Sequence, residues 1–167
     1  MKIEIGQQAP DFSLYDSAKN KVVLSDQKGK NVLLLFFPLA FTSVCTAELC
    51  SIRDNIALYN NSNAVVFGIS VDSPYTLGKF KEDQHLNFVL LSDFNKLVSA
   101  SYGALYETFS MDLKGVSKRS AFVIDKEGMV KFAQVLENAG DLPDFAAIQS
   151  VLKKNNDEFS IKPISYN

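Results

Sequence analysis

Six consecutive apolar residues, Val32 to Phe37 (VLLLFF), are followed at once by Pro38. A run with no polar alternation has no face to give to water, so it predicts a strand covered on both sides. Pro38 closes the run, because proline has no N–H to donate to a ladder. A strand buried on both faces needs a layer above it and a layer below. Whether those layers are helical is decided by the order of the other segments.

The remaining segments fit such layers. Val65–Val71 (VVFGISV) is a second buried strand. Between the two, Leu49, Ile52, Ile56 and Tyr59 recur at three- and four-residue spacing, one apolar face of a helix from about Ser43 to Asn60–Asn61. Asp72-Ser73-Pro74 supplies a polar cap and a proline for a helix over 75–84. A short strand is expected at Phe88–Leu91 and a short helix at Lys96–Ser101. Ser120–Ile124 and Val130–Val135 flank the turn Asp125-Lys126-Glu127-Gly128 as a hairpin. Phe12–Leu14 and Val22–Leu24 form an opening hairpin, and a final helix covers about Asp144–Lys154. The polar tail 155–167 is expected to be loosely held. Together these predict an α/β fold, a mixed central sheet with helices on both faces. At 167 residues, one domain spanning 1–167 is the expectation.

Composition narrows the function classes. The chain is 47% hydrophobic and 22% charged, an ordinary globular balance. A net charge of −2 leaves no electrostatic footprint for nucleic acid or an anionic membrane. The longest near-continuous apolar run, Val32 to Phe41, is far short of a membrane span. The opening MKIEIGQQAPDFSL lacks the long apolar core of a signal peptide, so a cytoplasmic protein is the expectation. In that compartment its two cysteines are not expected to form a permanent structural disulfide. With the single, distant His85 they also fall short of the four ligands of a structural zinc site, and no cofactor is called for.

Both cysteines lie in FFPLAFTSVCTAELC, Phe36 to Cys50. Cys45 falls in the first turn of the expected helix, beyond the end of a central strand. Open α/β sheets gather ligands there. Unpaired amides and the positive end of the helix dipole favour thiolate over thiol. The competing reading of Cys45 is a small buried hydrophobe. Thr42, three residues earlier, offers a hydroxyl that donates and accepts. It, or Ser43, serves equally as a plain helix cap. Pro38 is either a strand terminator or a shield over the sulfur. His85, among charged neighbours, reads as a solvated loop residue. Phe36 and Phe37 read as core. Phe41 and Tyr75 fit an apolar rim or a dimer interface.

Pro38, Thr42 and Cys45 reproduce P-x-x-x-T-x-x-C, and the chain here resembles the peroxiredoxins, thiol peroxidases with a thioredoxin-like fold. GQQAPDFSL, GISVDSPYTLGKF, LSDF and KRSAFVIDKEGMV resemble further blocks of that family in the same order. The closest groups are the peroxiredoxin Q (bacterioferritin comigratory protein) and alkyl hydroperoxide reductase E types. The resemblance implies a hydroperoxide substrate and a thiol reductant such as thioredoxin. It makes Cys45 the peroxidatic thiolate. Thr42 and Arg119 contact peroxide and sulfur, with the amides of Val44 and Cys45 as further donors. Glu48 matches a position that orients the arginine; otherwise it is a solvated acid of the first helical turn. The resemblance fits a monomer or a homodimer.

In the peroxiredoxin Q group the resolving cysteine lies five residues on, which implies that role for Cys50. Five helical steps rise about 7.5 Å and turn the side chain about 140° away. A disulfide needs Cα atoms within ~7 Å, so the helix would have to unwind locally. The alternative is a one-Cys enzyme with Cys50 as packing. A general thiol–disulfide oxidoreductase would want a C-x-x-C pair and would leave Thr42 and Arg119 unexplained. A redox sensor that uses a sulfenic acid as its signal is the non-enzymatic alternative.

Overall fold

The computed structural model describes residues 2–160. The opening hairpin pairs β1 (Ser13–Asp16) with β2 (Lys21–Val23). Next come β3 (Asn31–Phe36), α1 (Ser43–Asp54), α2 (Ile56–Asn61), β4 (Ala64–Ser70), α3 (Pro74–Asp83), β5 (Val89–Ser92) and α4 (Leu97–Ser101). A small hairpin of β6 (Leu105–Thr108) and β7 (Lys114–Ser117) precedes β8 (Ser120–Ile124), β9 (Val130–Val135) and α5 (Phe145–Ser160). Seven strands form one sheet in the order β2-β1-β5-β4-β3-β8-β9. β3, β4 and β5 run parallel, and the flanking pairings are antiparallel. This is the mixed sheet of a thioredoxin-like α/β fold.

The pleat divides β3 between two cores, since alternate side chains leave opposite faces. Leu33 and Leu35 meet Leu49 and Ile52 of α1, Leu77 and Phe80 of α3, and Ile148 and Leu152 of α5. Val32, Leu34 and Phe36 meet Val98 of α4, Tyr102, and Phe12 and Leu24 of the opening segment. Every residue of β3 is buried, as an uninterrupted apolar run requires.

Three expectations are corrected. The helix expected from Ser43 to Asn60–Asn61 breaks at Asn55, whose Nδ2 donates to the Ser51 carbonyl at 2.9 Å and competes with the backbone ladder. The β6–β7 hairpin was not expected, because its Leu105–Thr108 and Lys114–Ser117 show no clean alternation. Residues 155–160, expected in a loose tail, continue α5, while 161–167 lie outside the described residues. Among the described residues no helix is long and apolar enough to cross a membrane.

Register brings distant segments to one end of the sheet. Phe36, the last residue of β3, sits opposite Ile69 of β4 and opposite Ser120, the first residue of β8. Ser120 in turn faces Val135, the last residue of β9. The β3–α1 loop, the residue before β8 and the chain after β9 therefore converge.

Candidate active site

Phe37 N donates to the Ile69 carbonyl at 3.0 Å, carrying the β3 chain one residue beyond its strand. Pro38 is buried just after it. The loop is then anchored from β4. Ala40 N donates to Asp72 Oδ2 at 2.8 Å, and that same oxygen accepts from Ser70 Oγ at 2.7 Å. Phe41 takes a φ of +68°, and its ring packs 5.1 Å from that of Phe80. For a bulky residue this left-handed conformation costs on the order of 1 kcal/mol or more and persists only where surrounding contacts impose it. The turn it makes delivers Thr42 to the N-cap position of α1.

Thr42 does not cap the helix with its side chain. Its hydroxyl turns back and donates to the Leu39 carbonyl at 2.7 Å. The expectation that Thr42 or Ser43 is a plain side-chain cap is thus corrected for Thr42, and Ser43 is already the first helical residue. With its proton committed, the Thr42 oxygen is left as an acceptor. The first helical bond runs from Thr46 N to the Thr42 carbonyl at 2.9 Å. The amides of Ser43, Val44 and Cys45 precede it and have no partner within the helix.

Cys45 is 1% exposed, and Arg119 Nη2 donates to its Sγ at 3.2 Å. Arg119 itself is buried, held by the Ala139 carbonyl through Nε at 3.2 Å and Nη2 at 3.0 Å. Its Nη1 reaches Glu48 Oε1 at 3.2 Å. Glu48 lies three residues after Cys45, so both side chains leave the same face of α1. The guanidinium therefore bridges a sulfur and a carboxylate within one helical turn. Pro38, Leu39, Thr42, Val44, Cys45, Arg119 and Phe109 line a cleft of about 220 Å³. A larger cleft of about 600 Å³ lies along β1, the start of α3 and residues 92–101, and its lining contains none of Cys45, Thr42 or Arg119.

Glu48 is fully buried, and its Oε2 has no hydrogen-bond partner among the described residues. Burial pushes its carboxyl up from 4.5 to about 7, against the opposing charge and hydrogen bond of Arg119. Desolvation wins because only one carboxylate oxygen is compensated. The folded chain thus holds a proton that the unfolded chain has released between pH 4.5 and about 7. This group's contribution to stability is full below pH 4.5 and is lost as pH rises to about 7. Each unit is worth about 1.4 kcal/mol, so up to about 3 kcal/mol separates the two ends. Denaturant titrations from pH 4.5 to 8 should show that decline in the wild type and its loss in Glu48→Gln. Equal slopes in both would assign the pH dependence to another group.

The AhpC/TSA family model matches residues 5–133. The chain belongs to the AhpC/TSA family, the peroxiredoxins. It is 37% identical over 145 residues to alkyl hydroperoxide reductase E of Mycobacterium tuberculosis, covering 85% of this chain and 91% of the relative. To peroxiredoxin Bcp of Bacillus subtilis it is 42% identical over 130 residues, 77% of this chain and 82% of that one. The crystal structure of peroxidoxin BcpB from Mycobacterium tuberculosis superposes with a TM-score of 0.78 at 29% identity, covering 93% of this chain and 97% of the other. A peroxiredoxin is a thiol peroxidase, so a hydroperoxide substrate and a thiol reductant follow from membership.

In this peroxiredoxin Cys45 and Cys50 are both free thiols on the intact α1. Cys50 is half-buried, and its Sγ donates to Gln84 Oε1 at 3.5 Å. Of the residues singled out in the sequence, Pro38, Thr42, Cys45, Glu48 and Arg119 come together, and Cys50 stands apart from them. His85 is exposed, and Tyr75 is exposed in the lining of the larger cleft and not in that of the cleft at Cys45. Phe41 packs on Phe80 and does not line the cleft. Sequence reasoning missed three participants. Asp72 reads as part of a helix start, yet the cap is Ser73, whose Oγ accepts from Thr76 N, and Asp72 instead ties the loop. Phe109 sits on the unexpected hairpin. Ala139 contributes only a carbonyl, which no side-chain motif can signal.

Proposed function

We propose that Cys45 is the peroxidatic residue and that it reduces hydrogen peroxide and organic hydroperoxides. The observation that carries this is the 3.2 Å contact between Arg119 Nη2 and Cys45 Sγ at the head of a helix. The anionic sulfur attacks one peroxide oxygen, the O–O bond breaks, and the other oxygen leaves as alkoxide or hydroxide and takes a proton. Negative charge spreads over sulfur and both oxygens, and fixed donors aimed at it supply the main catalytic effect. Arg119 is one donor, and the amides of Val44 and Cys45 are others. Thr42, its own proton given to Leu39, accepts the hydroperoxide O–H and orients it. Pro38 screens the sulfur, and Glu48 holds the guanidinium. Pro38, Leu39, Val44 and Phe109 in the lining leave room for an organic tail.

The product is a Cys45 sulfenic acid. Cys50 attacks it to give an intramolecular disulfide, which thioredoxin or a similar thiol reductant returns to two thiols. A disulfide that forms and is reduced in each cycle fits a reducing compartment such as the cytoplasm. A second reading has its own support: Cys50 packs against the core and bonds Gln84, as a structural residue would. The chain would then be a one-Cys peroxiredoxin served by an outside thiol.

Intact-mass measurement after one equivalent of peroxide decides between them. The wild type should lose two hydrogens, while Cys50→Ser should gain one oxygen atom. A wild type that instead carries the added oxygen demotes Cys50 to packing.

A further inference from the structure

Cys50 is tied to a different anchor from the cysteine it is proposed to attack. Its Sγ bonds Gln84 Oε1 at 3.5 Å. Arg53, three residues on and on the same side of α1, donates Nη1 to the Gln84 main-chain carbonyl at 2.5 Å. Asn87 Nδ2 donates to the Arg53 carbonyl at 3.2 Å, and Asp54 steadies Arg53 Nε at 2.9 Å. Gln84 is the C-cap of α3, and His85 follows it with a φ of +52°. The turn that ends α3 thus grips the C-terminal half of α1.

The N-terminal half is tied inward through Arg119, by its bonds to Cys45 Sγ and Glu48 Oε1. Of these two bonds only the one to Cys45 Sγ depends on the redox state of the sulfur. Oxidation of a Cys45 thiolate to a neutral sulfenic acid removes the charge that attracts the guanidinium. The bonds of Arg53 to Gln84 and of Asn87 to Arg53 contain no atom that is oxidised.

We propose that Arg53 and Gln84 are positioning residues for disulfide formation: they pin the Cys50 end of α1 to the end of α3, so that the Cys45 end unwinds toward a sulfur already in place. This rests on the reading of Cys50 as the resolving cysteine. In the step itself the Cys50 sulfur gives up its proton and attacks the Cys45 sulfur. The S–O bond breaks, and hydroxide leaves as water with that proton, so no outside oxidant is needed. A stationary nucleophile keeps the effective concentration of one sulfur about the other high.

The test follows two rates after one equivalent of hydrogen peroxide, in the wild type, Arg53→Met, Gln84→Met and Arg53→Lys. Peroxide consumption in the first turnover should stay within about twofold in all four, because none of these side chains touches the cleft. Disulfide formation should slow about tenfold in Arg53→Met, which loses its bond to the Gln84 carbonyl, the scale of one net hydrogen bond, and by less in Gln84→Met, which keeps that main-chain bond and loses only the one from Cys50 Sγ. Arg53→Lys should recover part of the rate, since an ammonium can still donate to the Gln84 carbonyl. Hydrogen exchange on the disulfide form of the wild type should show amides of 43–48 unprotected and those of 51–54 protected. Disulfide rates unchanged or raised in both methionine variants overturn the proposal, as does protection lost at 51–54 and kept at 43–48. A wild type that forms no disulfide at all is a separate failure, that of Cys50 as resolving residue.

Discussion

Cys45→Ser will abolish peroxide turnover and leave the chain folded. A serine hydroxyl does not ionise near neutral pH, and no other side chain of the cleft can serve as a soft nucleophile toward an O–O bond. Loss of a nucleophile in covalent enzymes costs roughly 10⁴-fold or more, which here means loss to background. The fold should tolerate the change. Arg119 keeps Glu48 and the Ala139 carbonyl as partners, and the serine oxygen can still accept from Nη2. An isosteric change of this kind should shift stability by only about 1 kcal/mol. Peroxide consumption with dithiothreitol as reductant reads the first effect, and a denaturant midpoint reads the second. Activity within tenfold of wild type would move the chemistry to Cys50 and remove the basis for the proposed mechanism.

Arg119→Ala will have two separable consequences. The first is kinetic. It removes a donor held at the reacting sulfur, an effect worth about 10²–10³ in rate at preorganised sites. The second is energetic. It strands Glu48, which is fully buried, and breaking a buried pair from one side costs roughly 3–5 kcal/mol. Glu48 can escape part of that cost by binding a proton, because burial already holds its carboxyl up to about 7. The destabilisation should therefore be larger at pH 8 than at pH 5. The double variant Arg119→Ala/Glu48→Gln should regain much of the stability at pH 8 and none of the rate. If the single variant keeps wild-type turnover, the guanidinium has no part in the chemistry. If the double variant is no more stable than the single one at pH 8, the stranded carboxylate is not the cause of the loss.

These effects show how unevenly the site was written in the sequence. Cys45, Thr42 and Pro38 sit within eight residues, and the strand–proline–helix pattern around them placed Cys45 in the first turn of α1. The role of Thr42 was harder to see. Its place before a helix suggested a cap, whereas the hydroxyl bonds Leu39, and only the backbone turn at Phe41 aims it there. Glu48 reads equally well as a solvated acid, and nothing in its neighbours announces that it is buried under α1 with one oxygen unpaired. Asp72 looked like part of a helix start and proved to anchor the β3–α1 loop. The hairpin that brings Phe109 over the cleft lacks the alternation by which half-buried strands declare themselves.

What the sequence determined by itself is what hydrophobic pattern and backbone chemistry decide within short windows. A buried central strand, its stop at Pro38, a helix opening on a cysteine and the hairpin around Asp125–Gly128 all belong to that class. That Arg119 meets a sulfur 74 residues away was carried in the sequence only by the family resemblance, and its physical basis lies in the tertiary structure. The antiparallel register of β3 with β8 sets Ser120 beside Phe36, and that of β8 with β9 returns the Ala139 carbonyl to the same end. Such pairings are fixed by burial of both sheet faces at once, a property of the assembled layers and of no single segment.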